Sequence, residues 1–113
     1  MVRAGVDLKG AATFHGSLNT GHPADKKSAK TKLLVMNGEA DPFIKPEQIN
    51  AFKKEMDRAG IPYTFINYPG AKHAFTNPEA TELGKKFQIP LEYSKSADKK
   101  SWNEMKKFFK EVL

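Results

Sequence analysis

The chain has 113 residues, of which 39% are hydrophobic, 11% aromatic and 28% charged, and its net charge is +6. This length favours one domain with a modest core, and the aromatic content argues against a disordered chain because such side chains need a core. The absence of cysteine excludes disulfides, cysteine-ligated zinc and a thiol nucleophile within these residues.

Hydropathy and charge indicate the expected cellular location and the expected class of partner. No apolar run reaches the roughly 20 residues that a membrane-spanning helix needs, and residues 1–10 lack the apolar core of a signal peptide. We therefore expect a cytoplasmic protein without a membrane partner. Excess positive charge is typical of nucleic-acid-binding proteins, but no nucleic-acid-binding motif is present and acidic residues are interleaved with most of the lysine pairs, so a solvated surface is favoured. These pairs are Lys26–Lys27, Lys53–Lys54, Lys85–Lys86, Lys99–Lys100 and Lys106–Lys107.

The first third of the chain predicts two strands separated by a polar loop. Residues 10–16 form a short apolar run that ends at Gly16, and residues 17–30 are rich in polar and turn-forming residues. Residues 31–37 contain the continuous apolar run Leu33–Met36. Such a run is typical of a strand that is covered on both faces in a parallel sheet.

A helix and a third strand follow. Pro46 suits the first turn of a helix, and Gly60 suits the position just after its last turn. Between them, Ile49, Phe52 and Met56 recur at helical spacing and predict one apolar face. Residues 62–68 are rich in aromatic and β-branched residues and predict a strand.

The rest of the chain predicts a long loop and a final helix. Residues 69–97 contain glycines and prolines and predict a loop with a short helical turn at 78–86. The final helix is expected to begin near Ser96–Asp98. Its apolar face, at helical spacing, consists of Trp102, Met105, Phe108, Phe109 and Val112. The simplest interpretation buries this face on the sheet, and the alternative places it against a partner.

Strands that alternate with helices predict an α/β fold with a mostly parallel sheet. Three strands make a thin sheet, and only two clear helices are available to cover its two faces. We therefore expect residues 1–113 to form a single domain that corresponds to part of a larger sheet.

Polar side chains follow each predicted strand. His15, Gly16 and Ser17 follow the first, Asp41 follows the second and His73 follows the third. Ligands of open α/β sheets bind at the carboxyl ends of the strands. An aspartate after one strand and a histidine after the next match the acid and base of an α/β-hydrolase triad, although Asp41 also suits a turn before Pro42 and His73 an ordinary surface loop.

Three segments resemble the C-terminal half of the dienelactone hydrolase family of α/β-hydrolases: LLVMNGEADPFIKPEQINAFKKEM, YPGAKHAFTNP and SWNEMKKFFKE. The opening AGVDLKGAATFHGSL resembles the segment that follows the nucleophile helix of that family. The resemblance implies a partial α/β-hydrolase fold and an activity on carboxylic esters or lactones. It also implies that Asp41 is the triad acid, that His73 is the triad base, and that neither a metal nor an organic cofactor is needed.

The sequence departs from the family at the nucleophile. The family places a cysteine or serine on a sharp elbow of G-x-[CS]-x-G type, and no such motif occurs here. Ser17 follows Gly16, but HGSLN does not form the elbow. We therefore expect the isolated chain to be inactive. The alternative is a non-catalytic half-domain that forms homo-oligomers or complements a second chain.

Three further residues are candidates for substrate contact with a small ester or lactone. His15 follows the first strand and is expected either to line the cleft or to pack as a strand-end histidine. Phe43 and Phe75 flank the acid and base in sequence. They are expected either to form apolar walls of a pocket or to belong to the core.

Overall fold

A computed structural model describes residues 1–25 and 31–113. The Lys26–Lys27 pair and the end of the predicted polar loop lie outside the described residues. A short 3-10 helix, Val2–Ala4, precedes the first strand. The remaining elements are β1 (Gly10–Phe14), β2 (Lys32–Gly38), α1 (Pro46–Ala59), β3 (Tyr63–Tyr68), α2 (Ala80–Phe87) and α3 (Lys95–Val112).

The three strands form one parallel sheet in the order β1-β2-β3. Ala12 of β1 is opposite Leu34 of β2, and Val35 of β2 is opposite Phe65 of β3. The predicted α/β fold with three parallel strands and flanking helices is therefore confirmed. Because all strands run in one direction, the loops that follow them meet at one edge of the sheet.

Strand β2 is buried on both faces, as its continuous apolar run predicts. Leu33 and Val35 point to one face, where they pack with Phe52 and Met56 of α1. Leu34 and Met36 point to the other face and pack with Ala97 of α3 and with Phe75. The sheet therefore separates two small cores, and each core has its own covering helix.

Helix α1 begins and ends at the predicted residues. Pro46 occupies its first turn, and the side chain of Gln48 accepts a hydrogen bond of 2.8 Å from the backbone N–H of Lys45. Gly60 ends the helix with φ 71°, a left-handed conformation that glycine adopts without steric cost. Local sequence signals were sufficient to place both ends of this helix.

The predicted loop at 69–97 contains more helix than expected. The predicted helical turn is α2, an eight-residue helix. Helix α3 begins at Lys95, one residue before the predicted start, because Ser94 caps it: the Ser94 hydroxyl accepts a 3.2 Å hydrogen bond from the N–H of Ala97.

The predicted burial of Trp102 is wrong. Its side chain is 53% exposed, whereas the buried residues of α3 are the smaller Ala97 and Ser101. Met105 and Phe108 pack against the core as predicted. Helical spacing identified the apolar residues, but the position of α3 on the sheet decides which of them are covered. No helix within 1–25 and 31–113 has the length and hydropathy needed to cross a membrane.

Candidate active site

Asp41 lies in the turn after β2, where its carboxylate has no exposed surface. One oxygen, Oδ1, accepts a 2.8 Å hydrogen bond from the N–H of Phe43. Gly38 lets this turn approach the loop after β3, because a Cβ at that position would lie 2.4 Å from the carbonyl oxygen of Ala71. The N–H of Ala40 donates to the same carbonyl at 2.9 Å. The two loops are therefore held together by backbone contacts around the carboxylate.

His73 lies in the loop after β3 and contacts Asp41 directly. Its Nδ1 is 2.8 Å from Oδ2 of Asp41, and its side chain is 31% exposed. The His73 carbonyl accepts a 3.3 Å hydrogen bond from the N–H of Glu92. Ala74 has φ 60°, which is unusual for a residue with a Cβ. The buried Phe75 side chain anchors this backbone on the side away from solvent.

This arrangement orients the imidazole for proton transfer. An ionised carboxylate can only accept hydrogen bonds, so Nδ1 of His73 carries a hydrogen atom and donates a hydrogen bond to Asp41. Nε2 is then left as the basic nitrogen. Within the part of the chain that the structure describes, no side chain or backbone group is hydrogen-bonded to Nε2. A ring held in this tautomer can take a proton from a substrate or nucleophile at Nε2.

His15 lies directly after β1, beside His73. Its backbone has φ 40°, and its N–H donates a 2.8 Å hydrogen bond to the carbonyl of Met36. Its Nε2 is 2.8 Å from Oγ1 of Thr76, and its ring meets that of His73 edge-on, with centroids 5.6 Å apart. Burial, and then the charge of His73, lower the pKa of His15 below the ordinary 6.5.

The two phenylalanines occupy different environments. Phe43 is 49% exposed and meets the His73 ring edge-on at 5.2 Å. Phe75 is fully buried and contacts the His15 ring from the core side, also at 5.2 Å. Of the two interpretations predicted for these residues, exposure favours a pocket wall for Phe43 and burial favours a core position for Phe75.

Ser17 does not join this group. Its side chain opens onto a hollow of about 210 Å³ beside α1, which it shares with Thr13, Leu18 and Phe52. Thr76 was not among the residues predicted from the sequence, although the TFHG and KHAFT segments place a histidine and a threonine after two strands. Only the paired loops show that these two side chains meet.

Comparison with known proteins places the chain in a family. The family model of the dienelactone hydrolases matches residues 1–113. The chain belongs to the dienelactone hydrolase family. The resemblance predicted from its motifs is therefore confirmed, and Asp41 and His73 lie in contact within this family member.

Solved structures support the same fold. This dienelactone hydrolase family chain is 31% identical to m3DLH, with a TM-score of 0.88 over 99% of this chain and 45% of that one. It is 29% identical to a dienelactone hydrolase-like promiscuous phosphotriesterase from metagenomic libraries, with a TM-score of 0.86 over 98% of this chain and 45% of that one.

One relative was found by comparison of sequences. The chain is 28% identical over 108 residues to an uncharacterized protein of Caenorhabditis elegans, covering 94% of this chain and 66% of the nematode protein. The chain thus spans just under half the length of the two solved relatives and about two thirds of the nematode one.

Proposed function

We propose that this chain supplies the acid and base of a hydrolase that acts on carboxylic esters or lactones. The observation that carries the proposal is the 2.8 Å contact between Nδ1 of His73 and a carboxylate of Asp41 that has no exposed surface. Family membership supports the reaction class. In this proposal residues 1–113 act as one domain, and the cytoplasmic location expected from the sequence stays a prediction.

The proposed proton transfers follow from the orientation of His73. A hydroxyl or thiol nucleophile gives its proton to Nε2 while its oxygen or sulfur attacks the carbonyl carbon of the ester. The imidazolium then gives this proton to the leaving alkoxide. Water next attacks the acylated nucleophile: it gives a proton to Nε2, and the imidazolium returns that proton to the nucleophile as the carboxylic acid is released. Asp41 keeps Nδ1 protonated and stabilises the imidazolium between the two transfers. His15 and Phe43, whose rings meet that of His73 edge-on, are the proposed substrate contacts beside it.

The nucleophile is the part of this proposal that the sequence does not supply. The chain has no cysteine and no G-x-S-x-G motif. The Thr76 hydroxyl forms a hydrogen bond with His15, and no hydrogen bond joins Ser17 to His73 among the described residues. We therefore propose that the isolated chain is inactive and that its acid and base act together with an elbow from elsewhere.

The first test is hydrolysis of p-nitrophenyl acetate by the purified chain, measured beside His73→Ala. We expect the two rates to be equal, because a base without a nucleophile has no proton to take. A phosphotriester is the second substrate, since one solved relative carries that activity in its name. Turnover that disappears in His73→Ala would show that His73 supports ester hydrolysis without the elbow and would refute the proposed inactivity.

The second test supplies the missing part. The chain is mixed with a separately expressed elbow-bearing half of a dienelactone hydrolase, and ester turnover is measured in the mixture. We expect turnover that is lost with His73→Ala and reduced with Asp41→Asn, whereas Asp57→Asn, which removes an exposed carboxylate on α1, leaves it unchanged. Turnover that is unchanged in His73→Ala would contradict the proposed roles of Asp41 and His73 as acid and base.

A non-catalytic half-domain is the second candidate function. Within residues 1–25 and 31–113, β1 pairs with β2 on one side only, so its other side presents unpaired backbone groups. Such an edge favours association with another strand. Sedimentation velocity over a range of concentrations tests this candidate, which predicts a homo-oligomer or a complex with an elbow-bearing chain. A chain that stays monomeric at all concentrations and forms no complex with the elbow-bearing chain would exclude this second candidate function.

A further inference from the structure

A side-chain hydrogen bond joins the loops that follow the two outer strands of the sheet. His15 follows β1, Thr76 lies in the loop after β3, and Nε2 of the histidine is 2.8 Å from Oγ1 of the threonine. The central strand β2 lies between them, and Asp41 is in the turn that follows it. The hydrogen bond therefore connects the segments on either side of the turn that carries the acid.

The backbone is held at both ends of this connection. The N–H of His15 donates a 2.8 Å hydrogen bond to the carbonyl of Met36 in β2. Thr76 directly follows Phe75, whose side chain is fully buried and whose carbonyl accepts a 3.0 Å hydrogen bond from the N–H of Ser94. The remaining freedom lies in the side chain of His15, and the hydrogen bond with Thr76 limits it.

The His15 ring packs against the proposed base. It meets the ring of His73 edge-on with centroids 5.6 Å apart, and Phe75 supports it from the core side at 5.2 Å. Phe43 makes a second edge contact with the His73 ring, at 5.2 Å. Edge contacts limit where a ring lies, but a hydrogen bond is more directional. The bond with Thr76 therefore fixes the rotation of the His15 ring beside His73.

His15 is an uncharged neighbour of His73 near neutral pH. Burial, and then the charge of His73, lower the pKa of His15 below 6.5, so its ring is mostly neutral at pH 7. A neutral imidazole can pair with the Thr76 hydroxyl in either tautomer, because a hydroxyl both donates and accepts. The contact is therefore available while His73 acts as a base, and it adds no positive charge that would oppose protonation of His73.

We propose that Thr76 is a positioning residue for His73 and that it acts through His15. The hydrogen bond to Asp41 holds Nδ1 of His73 but leaves the ring able to pivot about that nitrogen. The His15 ring, held by Thr76, restricts this pivoting and so keeps Nε2 in the direction needed for proton transfer. This role rests on the proposed function, because the direction of Nε2 matters for the reaction only if His73 is the base.

The first experiment needs no turnover. Nuclear Overhauser contacts between the ring protons of His15 and His73 are measured in the isolated natural chain, in Thr76→Val and in Thr76→Ser. We expect these contacts in the natural chain and in Thr76→Ser, and their weakening or loss in Thr76→Val, which keeps the shape of threonine but lacks the hydroxyl.

Thr64→Val is the matched control for this experiment, because it makes the same change at an exposed position of β3 and should leave the contacts unchanged. Thermal melting checks that each variant stays folded. Contacts as strong in Thr76→Val as in the natural chain would overturn the proposal.

The second experiment measures ester turnover in the mixture with the elbow-bearing half. Thr76→Val should lower kcat by roughly fivefold to tenfold, the effect of one neutral hydrogen bond, while KM stays within about twofold. Thr76→Ser should restore most of kcat, and Thr64→Val should change neither constant. An unchanged kcat in Thr76→Val, or a Thr76→Ser variant that is equally slow, would overturn the proposal.

A double-mutant cycle tests whether Thr76 acts through His15. His15→Gly removes the ring, and glycine adopts the φ of 40° at this position without steric cost. In that background Thr76→Val should lower kcat no further, because the hydroxyl has no ring to hold. A second decrease of the same size would show that Thr76 affects His73 directly along their shared loop, and it would overturn the proposal. If the natural chain gives no turnover in the mixture, the proposed function fails, and the Overhauser contacts alone decide the positioning role.

Discussion

Asp41 and His73 are 32 residues apart in the sequence and 2.8 Å apart in the structure. Each follows one of two adjacent parallel strands, so the sheet brings both to the same edge. Gly38 then permits the close approach of the two loops. The chain order of acid and base follows from the sequence, and the family resemblance implies that they act as a pair. The spacing of the two residues alone does not show their contact, because it depends on backbone packing between loops rather than on either loop alone.

The state of His15 gives a prediction at the residue scale. We expect the pKa of His15 to lie below 6.5, because burial disfavours the charged ring and His73 adds repulsion when it is protonated. An NMR pH titration of the imidazole protons measures this value. In His73→Gln the pKa of His15 should rise while staying below 6.5, since burial remains. A value at or above 6.5 in the natural chain would contradict this account of the site.

Helix α1 shows how far local sequence signals determine an element. Its two ends agree with the prediction because Pro46, whose φ is fixed, marks its start and Gly60, which tolerates a positive φ, marks its end. Helix α3 was less predictable. Its cap is Ser94, but a second serine, Ser96, competes in the sequence, and only the observed hydrogen bond to Ala97 selects between them.

The end of α1 gives a prediction at the element scale. Gly60→Ala should lower the free energy of unfolding by about 1–2 kcal/mol, because a Cβ at φ 71° meets the following carbonyl. Gly60→Asn should cost less, since asparagine tolerates this conformation better. Gly21→Ala is the matched control, because nothing lies within 4 Å of its added Cβ. Urea unfolding compares the three, and equal stabilities for Gly60→Ala and Gly21→Ala would contradict the assigned conformation.

The whole molecule is less compact than its length suggests. Its radius of gyration is 14.6 Å, whereas a compact domain of this length is expected near 13 Å. Because each face of the thin sheet carries only a small core, polar contacts between distant segments should contribute a larger fraction of the free energy of unfolding. The clearest joins the start of the chain to α1: Arg3 donates two hydrogen bonds, at 2.8 and 2.9 Å, to the carboxylate of the buried Glu55.

This contact gives a prediction at the scale of the molecule. The hydrogen bonds from Arg3 hold the pKa of Glu55 below its ordinary 4.5 in the folded state. The resulting stabilisation is therefore fully present well above pH 4.5, and it is lost as the pH falls through the lower folded-state pKa. Arg3→Gln should lower the free energy of unfolding at pH 7 by about 1–2 kcal/mol, a range reduced for the partial exposure of Arg3.

Urea unfolding of the natural chain and of Arg3→Gln, at pH 7 and again at pH 3, measures this effect. The difference between the two proteins should shrink at the lower pH, because below pH 4.5 the carboxyl of Glu55 is protonated in the unfolded chain, and below its lower folded-state pKa it is protonated in the folded chain as well. Lys107→Gln is the control, since Lys107 forms an exposed pair with Glu104 within one helix and should contribute little at either pH. A difference for Arg3→Gln that is the same at both values of pH would show that Glu55 does not carry it.

The sequence by itself determined the order of strands and helices, the parallel sheet, the ends of α1 and the family, because these depend on periodicity, turn residues and motifs that are local in the chain. Tertiary structure alone decided which side chains meet and which are covered. It joined Asp41 to His73 and His15 to Thr76, placed Phe75 in the core and Phe43 at the surface, and left Trp102 half-exposed beside Asp98. The reason is physical: local spacing sets the direction of a side chain on its element, whereas burial and contact depend on how the elements pack.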